Sequence, residues 1–226
     1  MKALVDFLFP DVCAACNRKL LQEEECLCLF CSTEISYTTD HLDDMNETYK
    51  MFRGRLDIER ASSLMYYEKF TAAQKMIQDL KYHHNEQVSY YLGKKHAALL
   101  TSNEGWFDVD VIIPVPINKK KLKKRGYNQV QGYAEALAEE LHAELNTKAL
   151  RRKNETTSQV LKGKFARAQV LKSHYFKNNV KGLEGKHLLL VDDIITTGST
   201  IEACGKILED IPGIKLSLAS MAIAVS

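Results

Sequence analysis

The segment from Leu188 to Thr200, with the sequence LLLVDDIITTGST, restricts the possible folds of this chain more than any other. Its first four residues are apolar, as expected for a strand of a parallel sheet that is buried on both faces. The small residues Thr196–Thr200 lead into IEACGKILEDI, whose apolar residues recur at helical spacing. The order of strand, short loop and helix predicts an α/β fold.

The loop and the two acids before it suit different parts of one ligand. Successive backbone N–H groups of the loop, with the positive end of the following helix, can bind a phosphate. Gly198 lets the backbone approach that phosphate closely. Carboxylates repel phosphate, so Asp192 and Asp193 are better suited to ribose hydroxyls or Mg²⁺. The pattern predicts a ribose 5-phosphate site, and the alternative is a βα turn in which Asp and Thr act only as caps.

Basic residues are concentrated in the middle of the chain. Residues 114–187 carry 17 basic and 6 acidic side chains, whereas residues 1–60 carry 7 basic and 12 acidic ones. In the densest part, Lys119–Arg125, six of seven residues are basic, and a predicted strand at Val109–Ile113 precedes it. An α/β fold places anion sites beyond the carboxyl end of such a strand. The segment favours phosphate, pyrophosphate or a nucleic-acid backbone as ligand, unless it is simply a solvated surface.

Five of the six cysteines lie within residues 13–31. Cys13 with Cys16, and Cys28 with Cys31, form two C-x-x-C pairs that are separated by eleven residues. Two such pairs can complete a tetrahedron, which predicts a structural zinc in a small ribbon whose ligand positions are all filled. Cys26 is surplus and is expected to be a free thiol, although it would replace Cys28 in a differently built turn. The alternative is a set of reduced cysteines without metal.

The remaining segments give weaker signals. A strand is predicted at Ala61–Tyr67 and a helix at Ala72–Tyr82, with Met76, Ile77 and Leu80 on one face. Residues 40–56 have the composition of a charged connector. The polar segment at 151–170 is predicted to be a mobile loop that closes over a substrate, with a plain linker as the alternative.

Composition also bears on the cellular compartment. No apolar run reaches the roughly 18–20 residues that span a bilayer. The first ten residues contain one basic residue and no small-residue cleavage site, so they are interpreted as mature protein. A cytoplasmic location without a membrane span is the resulting expectation.

Several motifs together resemble those of a known family. LLLVDDIITTGST is similar to the signature with which type I phosphoribosyltransferases bind phosphoribosyl pyrophosphate (PRPP). The four-cysteine motif, IIPVP, KKRGYNQ, a polar loop and this signature occur in the same order in the competence protein F (ComF/GntX-type) family. Tyr127 stands where Phe is usual, and Ala168 and Gln169 replace a pair often seen after the loop arginine.

The resemblance implies a type I phosphoribosyltransferase-like parallel sheet flanked by helices, with a zinc-ribbon module at 1–45 and the transferase-like domain at 46–226. It implies that Asp192 and Asp193 contact the ribose hydroxyls and that Arg125, with nearby lysines, faces pyrophosphate. The residues implied to hold the 5-phosphate are Thr196, Thr197, Gly198, Ser199 and Thr200.

Three functions are compatible with these implications. The first is a phosphoribosyltransferase that uses PRPP and Mg²⁺, with an acceptor that no residue identifies. The second is a protein of DNA uptake that grips single-stranded DNA through its phosphates. The third is a non-catalytic adaptor that senses PRPP. The competence resemblance also implies partner proteins of the competence machinery.

Overall fold

The computed structural model describes residues 10–82, 85–102, 104–153 and 174–224. Most of the predicted mobile loop at 151–170 lies outside these residues. The described residues form a parallel sheet with the strand order β1-β7-β6-β2-β3 and a separate antiparallel pair, β4-β5. The strands are β1 (Arg60–Tyr67), β2 (Val111–Pro114), β3 (Glu144–Leu145), β4 (Leu150–Arg152), β5 (Tyr175–Lys177), β6 (His187–Ile195) and β7 (Lys215–Ala224).

Helices cover both faces of the parallel sheet. They are α1 (Leu29–Thr33), α2 (Glu47–Phe52), α3 (Ala72–Tyr82), α4 (Glu86–Leu100), α5 (Lys119–Arg125), α6 (Gln131–Glu140) and α7 (Ser199–Glu209), with short 3₁₀ turns at Asp40–Leu42 and Glu104–Trp106. No described helix combines the length and the apolar composition that crossing a membrane would require.

Strand β6 is the centre of the fold, between β2 and β7. Its alternate residues face two separate cores. Leu189 and Val191 pack with α3, α4 and α6, whereas Leu188 and Leu190 pack with α7. The apolar run therefore exists because both faces of this strand are buried, as the sequence predicted. The strand is longer than predicted and includes Asp192 and Asp193.

The predicted helix face on α3 is confirmed, since Met76, Ile77 and Leu80 are all buried. The segment at 40–56 is more than a charged connector. It contains helix α2, which Asn46 caps by accepting a hydrogen bond from the Tyr49 N–H at 2.8 Å. Phe52 at the end of this helix is completely buried. An apolar residue on a short helix was sufficient to bring this polar segment into the core.

The basic segment is a helix and not a turn. Asn118 caps α5 by accepting a hydrogen bond from the Lys120 N–H at 2.8 Å, and Gly126 ends it with a φ of +81°. Lysine and arginine have good helix propensity, so the residues between the Asn118 cap and Gly126 form a helix. Helix α6 ends at Glu140, because His142 has a φ of +55° and Glu144 then pairs with β2.

The cysteine-rich segment and the sheet share one continuous core. Tyr37 pairs with Met65 of β1, and the Thr38 N–H donates a hydrogen bond to the Leu64 carbonyl at 3.0 Å. Cys13, Cys26, Cys28 and Cys31 belong to the same apolar cluster as Met76 of α3. The division near residue 45 stays a prediction.

Candidate functional site

A cavity of about 180 Å³ opens beyond the carboxyl ends of β2 and β6. This is the edge at which parallel α/β sheets bind ligands, because the strand ends, loops and helix N-termini converge there. Its wall carries two carboxylates and four cationic side chains. They are Asp192, Asp193, Lys81, Lys121, Arg125 and Arg152.

Asp193 is held by three groups from different elements. Its Oδ2 lies 2.8 Å from the Nζ of Lys81 on α3 and accepts a hydrogen bond from the Gln129 amide at 3.0 Å. Its Oδ1 accepts from the Ile194 N–H at 2.7 Å. Lysine and the amide therefore fix the carboxylate while it remains at the cavity wall.

The two adjacent acids are in different protonation environments. Burial raises the pKa of Asp193, but the charge and hydrogen bond of Lys81, with the Gln129 amide, outweigh burial and hold its pKa below the usual value. For Asp192, burial and the negative charge of Asp193 act in the same direction, so its pKa is raised well above the usual value. The two adjacent carboxyl groups therefore differ in pKa, and the ion pair with Lys81 favours the ionised form of Asp193.

Arg125 reaches the cavity from the last turn of α5. Its Nη1 donates a hydrogen bond to the Gln129 side-chain oxygen at 2.7 Å, and its guanidinium lies 5.9 Å from the centre of the Tyr82 ring. Gln129 thus connects Arg125 to Asp193. Asn128, the other amide of the KKRGYNQ motif, donates to the Val115 carbonyl at 3.1 Å and so holds the segment after β2.

The loop Thr196–Thr200 connects β6 to α7, and its five members are not equivalent. Thr200 lines the cavity, whereas Thr196 and Thr197 are exposed at its rim. The Thr197 and Ser199 hydroxyls lie 2.9 Å apart. The N–H groups at the start of α7 and these hydroxyls are a set of donors on one side of the cavity.

Gly198 has a structural role in addition to the predicted close approach of a phosphate. Its φ is +72°, which only glycine adopts without strain. A Cβ on this residue would lie 2.8 Å from Cε1 of Phe52. Arg55 donates to the Thr197 carbonyl at 3.1 Å and pairs with Glu202 at 2.6 Å. Helix α2 and the residues that follow it therefore pack against the loop and hydrogen-bond to it.

The antiparallel pair β4-β5 forms the wall opposite α5. Arg152 and Tyr175 face each other across this pair, with the guanidinium 5.3 Å from the centre of the tyrosine ring. Both residues line the cavity. The pair also brackets the loop segment that the sequence predicted to close over the site.

The four predicted metal ligands come together. The Sγ atoms of Cys13, Cys16, Cys28 and Cys31 all lie within 4.8 Å of one another. A zinc–sulfur distance of about 2.3 Å places the sulfurs of a tetrahedral site about 3.8 Å apart, and the Cys16–Cys28 pair is at 3.7 Å. The geometry therefore fits a metal ion with four thiolate ligands.

The cysteine thiols of this segment differ in pKa. Burial raises the pKa of Cys13, but hydrogen bonds from the backbone of Cys28, Ala15 and Cys16 lower it by more, to about 7. Cys26 is buried outside the cluster, and burial raises its pKa to about 12. The prediction that Cys28 and not Cys26 belongs to the cluster agrees with this arrangement.

Part of the cavity was predictable from the sequence. Asp192, Asp193, Arg125 and Thr200 are brought together as predicted, and the loop residues before Thr200 lie beside them. Five further polar side chains of the cavity wall were not assigned a role from the sequence. They are Lys81, Asn128, Gln129, Arg152 and Tyr175. Gln129 lies within the KKRGYNQ motif, which was the one available signal for it.

Three comparisons bear on the identity of this domain. Residues 132–220 match the phosphoribosyl transferase domain family. Over 106 residues the chain is 31% identical to the DNA utilization protein YhgH of Shigella flexneri, across 44% of this chain and 43% of that protein. Over 98 residues it is 31% identical to the competence protein ComFC of Bacillus subtilis, across 43% and 38%.

A crystal structure of adenine phosphoribosyltransferase aligns with 61% of this chain and 69% of its own, at 18% identity and a TM-score of 0.37. The alignments with the curated relatives span less than half of those proteins. The family match at residues 132–220 and the curated relatives confirm the resemblance of the chain to the competence protein F family of phosphoribosyltransferase-like proteins.

Proposed function

We propose that the cavity binds PRPP, or another ligand that contains ribose 5-phosphate, together with Mg²⁺. The observation that carries this proposal is the pair of carboxylates, Asp192 and Asp193, in a cavity whose other charged groups are cationic. An anion site alone would have no use for buried acids. A ligand with both hydroxyls and phosphates has a use for each kind of group.

Each part of such a ligand has a counterpart in the wall. The carboxylates of Asp192 and Asp193 accept hydrogen bonds from the ribose hydroxyls. The N–H groups and hydroxyls of Thr196–Thr200 hold the 5-phosphate at the start of α7. Lys121 and Arg125, one turn apart on α5, face the pyrophosphate.

The carboxyl groups also fit Mg²⁺, which prefers oxygen ligands and usually takes one or two carboxylates along with substrate phosphates. The Oδ1 atom of Asp192 accepts a hydrogen bond from the Asp193 N–H at 2.9 Å. Burial and the charge of Asp193 raise the pKa of Asp192, and a bound cation would favour its ionised form. Mg²⁺, when bound, supplies positive charge beside the pyrophosphate.

We further propose that the site transfers the phosphoribosyl group. A nitrogen nucleophile forms a bond to C1′ while the bond from C1′ to the pyrophosphate oxygen breaks, and the electron pair of that bond leaves with pyrophosphate. Lys121 and Arg125 stabilise the negative charge that develops on the leaving group. The acceptor base is not specified by the described residues.

Calorimetric titration with PRPP and Mg²⁺ tests the binding proposal. The Asp192→Asn/Asp193→Asn variant should lose affinity by about tenfold or more, because neutral amides neither accept both ribose hydrogen bonds nor bind Mg²⁺ comparably. Asp43→Asn/Asp44→Asn is the matched control, since these two acids are also adjacent but are exposed. Equal affinity in the wild type and the Asp192/Asp193 variant would refute the assignment.

A screen of purines and pyrimidines for PRPP-dependent release of pyrophosphate tests transfer. Release with one base assigns the acceptor. Binding of PRPP without release for any base favours a PRPP-sensing adaptor, which would transmit ligand occupancy to competence-machinery proteins. Both outcomes are compatible with a cytoplasmic location, which remains a proposal.

We also propose that the four-cysteine cluster holds one structural Zn²⁺. Four soft thiolates at tetrahedral spacing suit zinc and leave no open position for substrate. The metal would then stabilise the first part of the chain and take no part in the transfer.

Single-stranded DNA binding is a second candidate function. The observation that favours it is that Lys119, Lys120, Lys123 and Lys124 are exposed on α5. The names of the relatives refer to DNA utilization and competence. If these lysines contact phosphates, affinity for a single strand should fall steeply with salt, and Lys123→Gln/Lys124→Gln should flatten that dependence. Undetectable binding at low salt would exclude this function.

A further inference from the structure

Tyr175 differs from the other buried tyrosines in what its hydroxyl contacts. The residue is only 4% exposed, and it lines the cavity beside Thr200 and Asp192. Its hydroxyl oxygen is buried and makes no hydrogen bond to any of the described residues. The Thr200 hydroxyl is close enough to influence it, yet the two do not reach hydrogen-bonding geometry.

A buried hydroxyl without a partner destabilises the folded state, so it calls for an explanation. The Arg152 guanidinium covers the face of the Tyr175 ring and limits where the hydroxyl can point. Burial also raises the pKa of Tyr175, so its hydroxyl keeps its proton at neutral pH and is a hydrogen-bond donor. This donor thus lies in the cavity wall, close to Thr200 and Asp192.

We propose that the Tyr175 hydroxyl donates a hydrogen bond to an oxygen of the bound ribose 5-phosphate group, at the position between the Thr200 hydroxyl and the Asp192 carboxyl. The proposal rests on the function proposed above. It makes Tyr175 a ligand-binding residue that no sequence motif marks. The unpaired hydroxyl of the empty site is then satisfied by the ligand.

Tyr133 provides a matched control. It is also fully buried, but its hydroxyl contacts His96 Nδ1 in the core away from the cavity. Removing the two hydroxyls should therefore have opposite effects on the stability of the ligand-free protein. Tyr175→Phe removes an unsatisfied group, whereas Tyr133→Phe leaves a histidine nitrogen without its partner.

The experiment combines thermal unfolding of the ligand-free full chain with calorimetry, using PRPP with Mg²⁺ and ribose 5-phosphate as probes. Tyr175→Phe should unfold at the same temperature as the wild type or up to a few degrees higher, and it should bind both probes about 5- to 20-fold more weakly. Tyr133→Phe should unfold at a lower temperature and keep the wild-type affinity.

Three results would overturn the proposal. Wild-type affinity in Tyr175→Phe would show that the hydroxyl does not touch the ligand, while leaving the proposed function intact. Weaker binding of PRPP with unchanged binding of ribose 5-phosphate would move the contact to the pyrophosphate. If the wild-type protein binds neither probe, the proposed function fails, and this inference fails with it.

Discussion

The cysteine cluster and the cation-lined cavity both contain buried polar groups. The two regions differ in how those groups are partnered. The cluster gathers four like ligands within 4.8 Å, which a single ion satisfies. The cavity keeps about 180 Å³ open between acids and cations that are only partly paired. Four ligands that surround one metal ion favour its permanent retention. A cavity whose charged groups are unequally paired favours a ligand that binds and leaves.

The two regions should therefore contribute differently to the free energy of unfolding and to ligand affinity. Zinc binding to such a cluster is coupled directly to folding, because the unfolded chain offers no formed site. The cavity instead contains polar groups whose burial is unfavourable, among them the Asp192 carboxyl, whose pKa burial raises, and the Tyr175 hydroxyl, which has no hydrogen bond to the described residues. Changes in the cluster should therefore act on stability, and changes in the cavity mainly on affinity.

The largest expected effect comes from the cluster. Cys28→Ala should remove the zinc and destabilise the chain by about 5 kcal/mol or more, because thiolate-zinc binding is the folding energy of such modules. Cys26→Ala, two residues away, should retain about one zinc per chain and cost only about 1 kcal/mol. Metal analysis and denaturant unfolding check both. Equal zinc content in the two variants, or a wild-type protein without zinc, would break the comparison.

The next effect tests the ion pair that bridges α3 and the cavity. Lys81→Met leaves Asp193 buried without its cation, so we expect a loss of about 2–3 kcal/mol and weaker PRPP binding. The exposed pair between Lys94 and Glu140 is the control, and Lys94→Met should leave the unfolding midpoint within error. Urea unfolding and calorimetry measure the two quantities. Similar effects of the two variants would show that Asp193 does not depend on Lys81.

The loop Thr196–Thr200 gives a third effect, in which affinity and stability should change together. Gly198→Ala combines a left-handed backbone with a clash against Phe52, and we expect a loss of about 2–3 kcal/mol with weaker PRPP binding. Gly126→Ala has the same backbone problem but open space around the Cβ, so it should cost only about 1 kcal/mol. Equal losses, measured by thermal unfolding, would show that packing on Phe52 is unimportant.

The two regions also differ in how far the sequence could predict them. The cysteine cluster forms within one short segment, through local contacts such as the hydrogen bonds from Cys13 N–H to the Arg18 carbonyl and from Ala14 N–H to the Cys26 carbonyl. Spacing alone therefore sufficed. The β6 strand, its acids and the loop were predictable for the same reason, since strand, loop and helix are consecutive.

The rest of the cavity depends on tertiary packing. Lys81 is one of many basic residues, and it meets Asp193 only because the apolar face of α3 fixes the end of that helix against the sheet. Tyr175 lies outside every motif that the sequence offered, and its place in the cavity follows from pairing with β4. Phe52 supports Gly198 from a segment that was interpreted as a connector. Periodicity does not encode which distant elements meet.

The smallest expected effect is the pH dependence of stability that comes from His96. It provides a baseline for acid-treatment experiments, in which zinc loss and unfolding would otherwise be difficult to separate. His96 lies in neither region. It is fully buried between Ser62, at 2.8 Å, and the Tyr133 hydroxyl, and its pKa is lowered to about 3 by burial, with a smaller contribution from His41. The unfolded chain takes up a proton near its ordinary pKa, whereas the folded chain does not. Stability should therefore fall as pH drops below about 6.5, by up to about 1.4 kcal/mol per pH unit.

Replacing His96 with Asn removes this titration. Urea unfolding of zinc-loaded wild type and His96→Asn between about pH 7 and about pH 5 should give a steeper decline for the wild type. The pH dependence of stability that remains in the variant then includes the effect of protonating the cysteine thiolates. Metal analysis of the same samples can follow that protonation through zinc loss. Parallel slopes would mean that His96 is protonated in the folded protein. The cluster and not the core would then account for acid sensitivity.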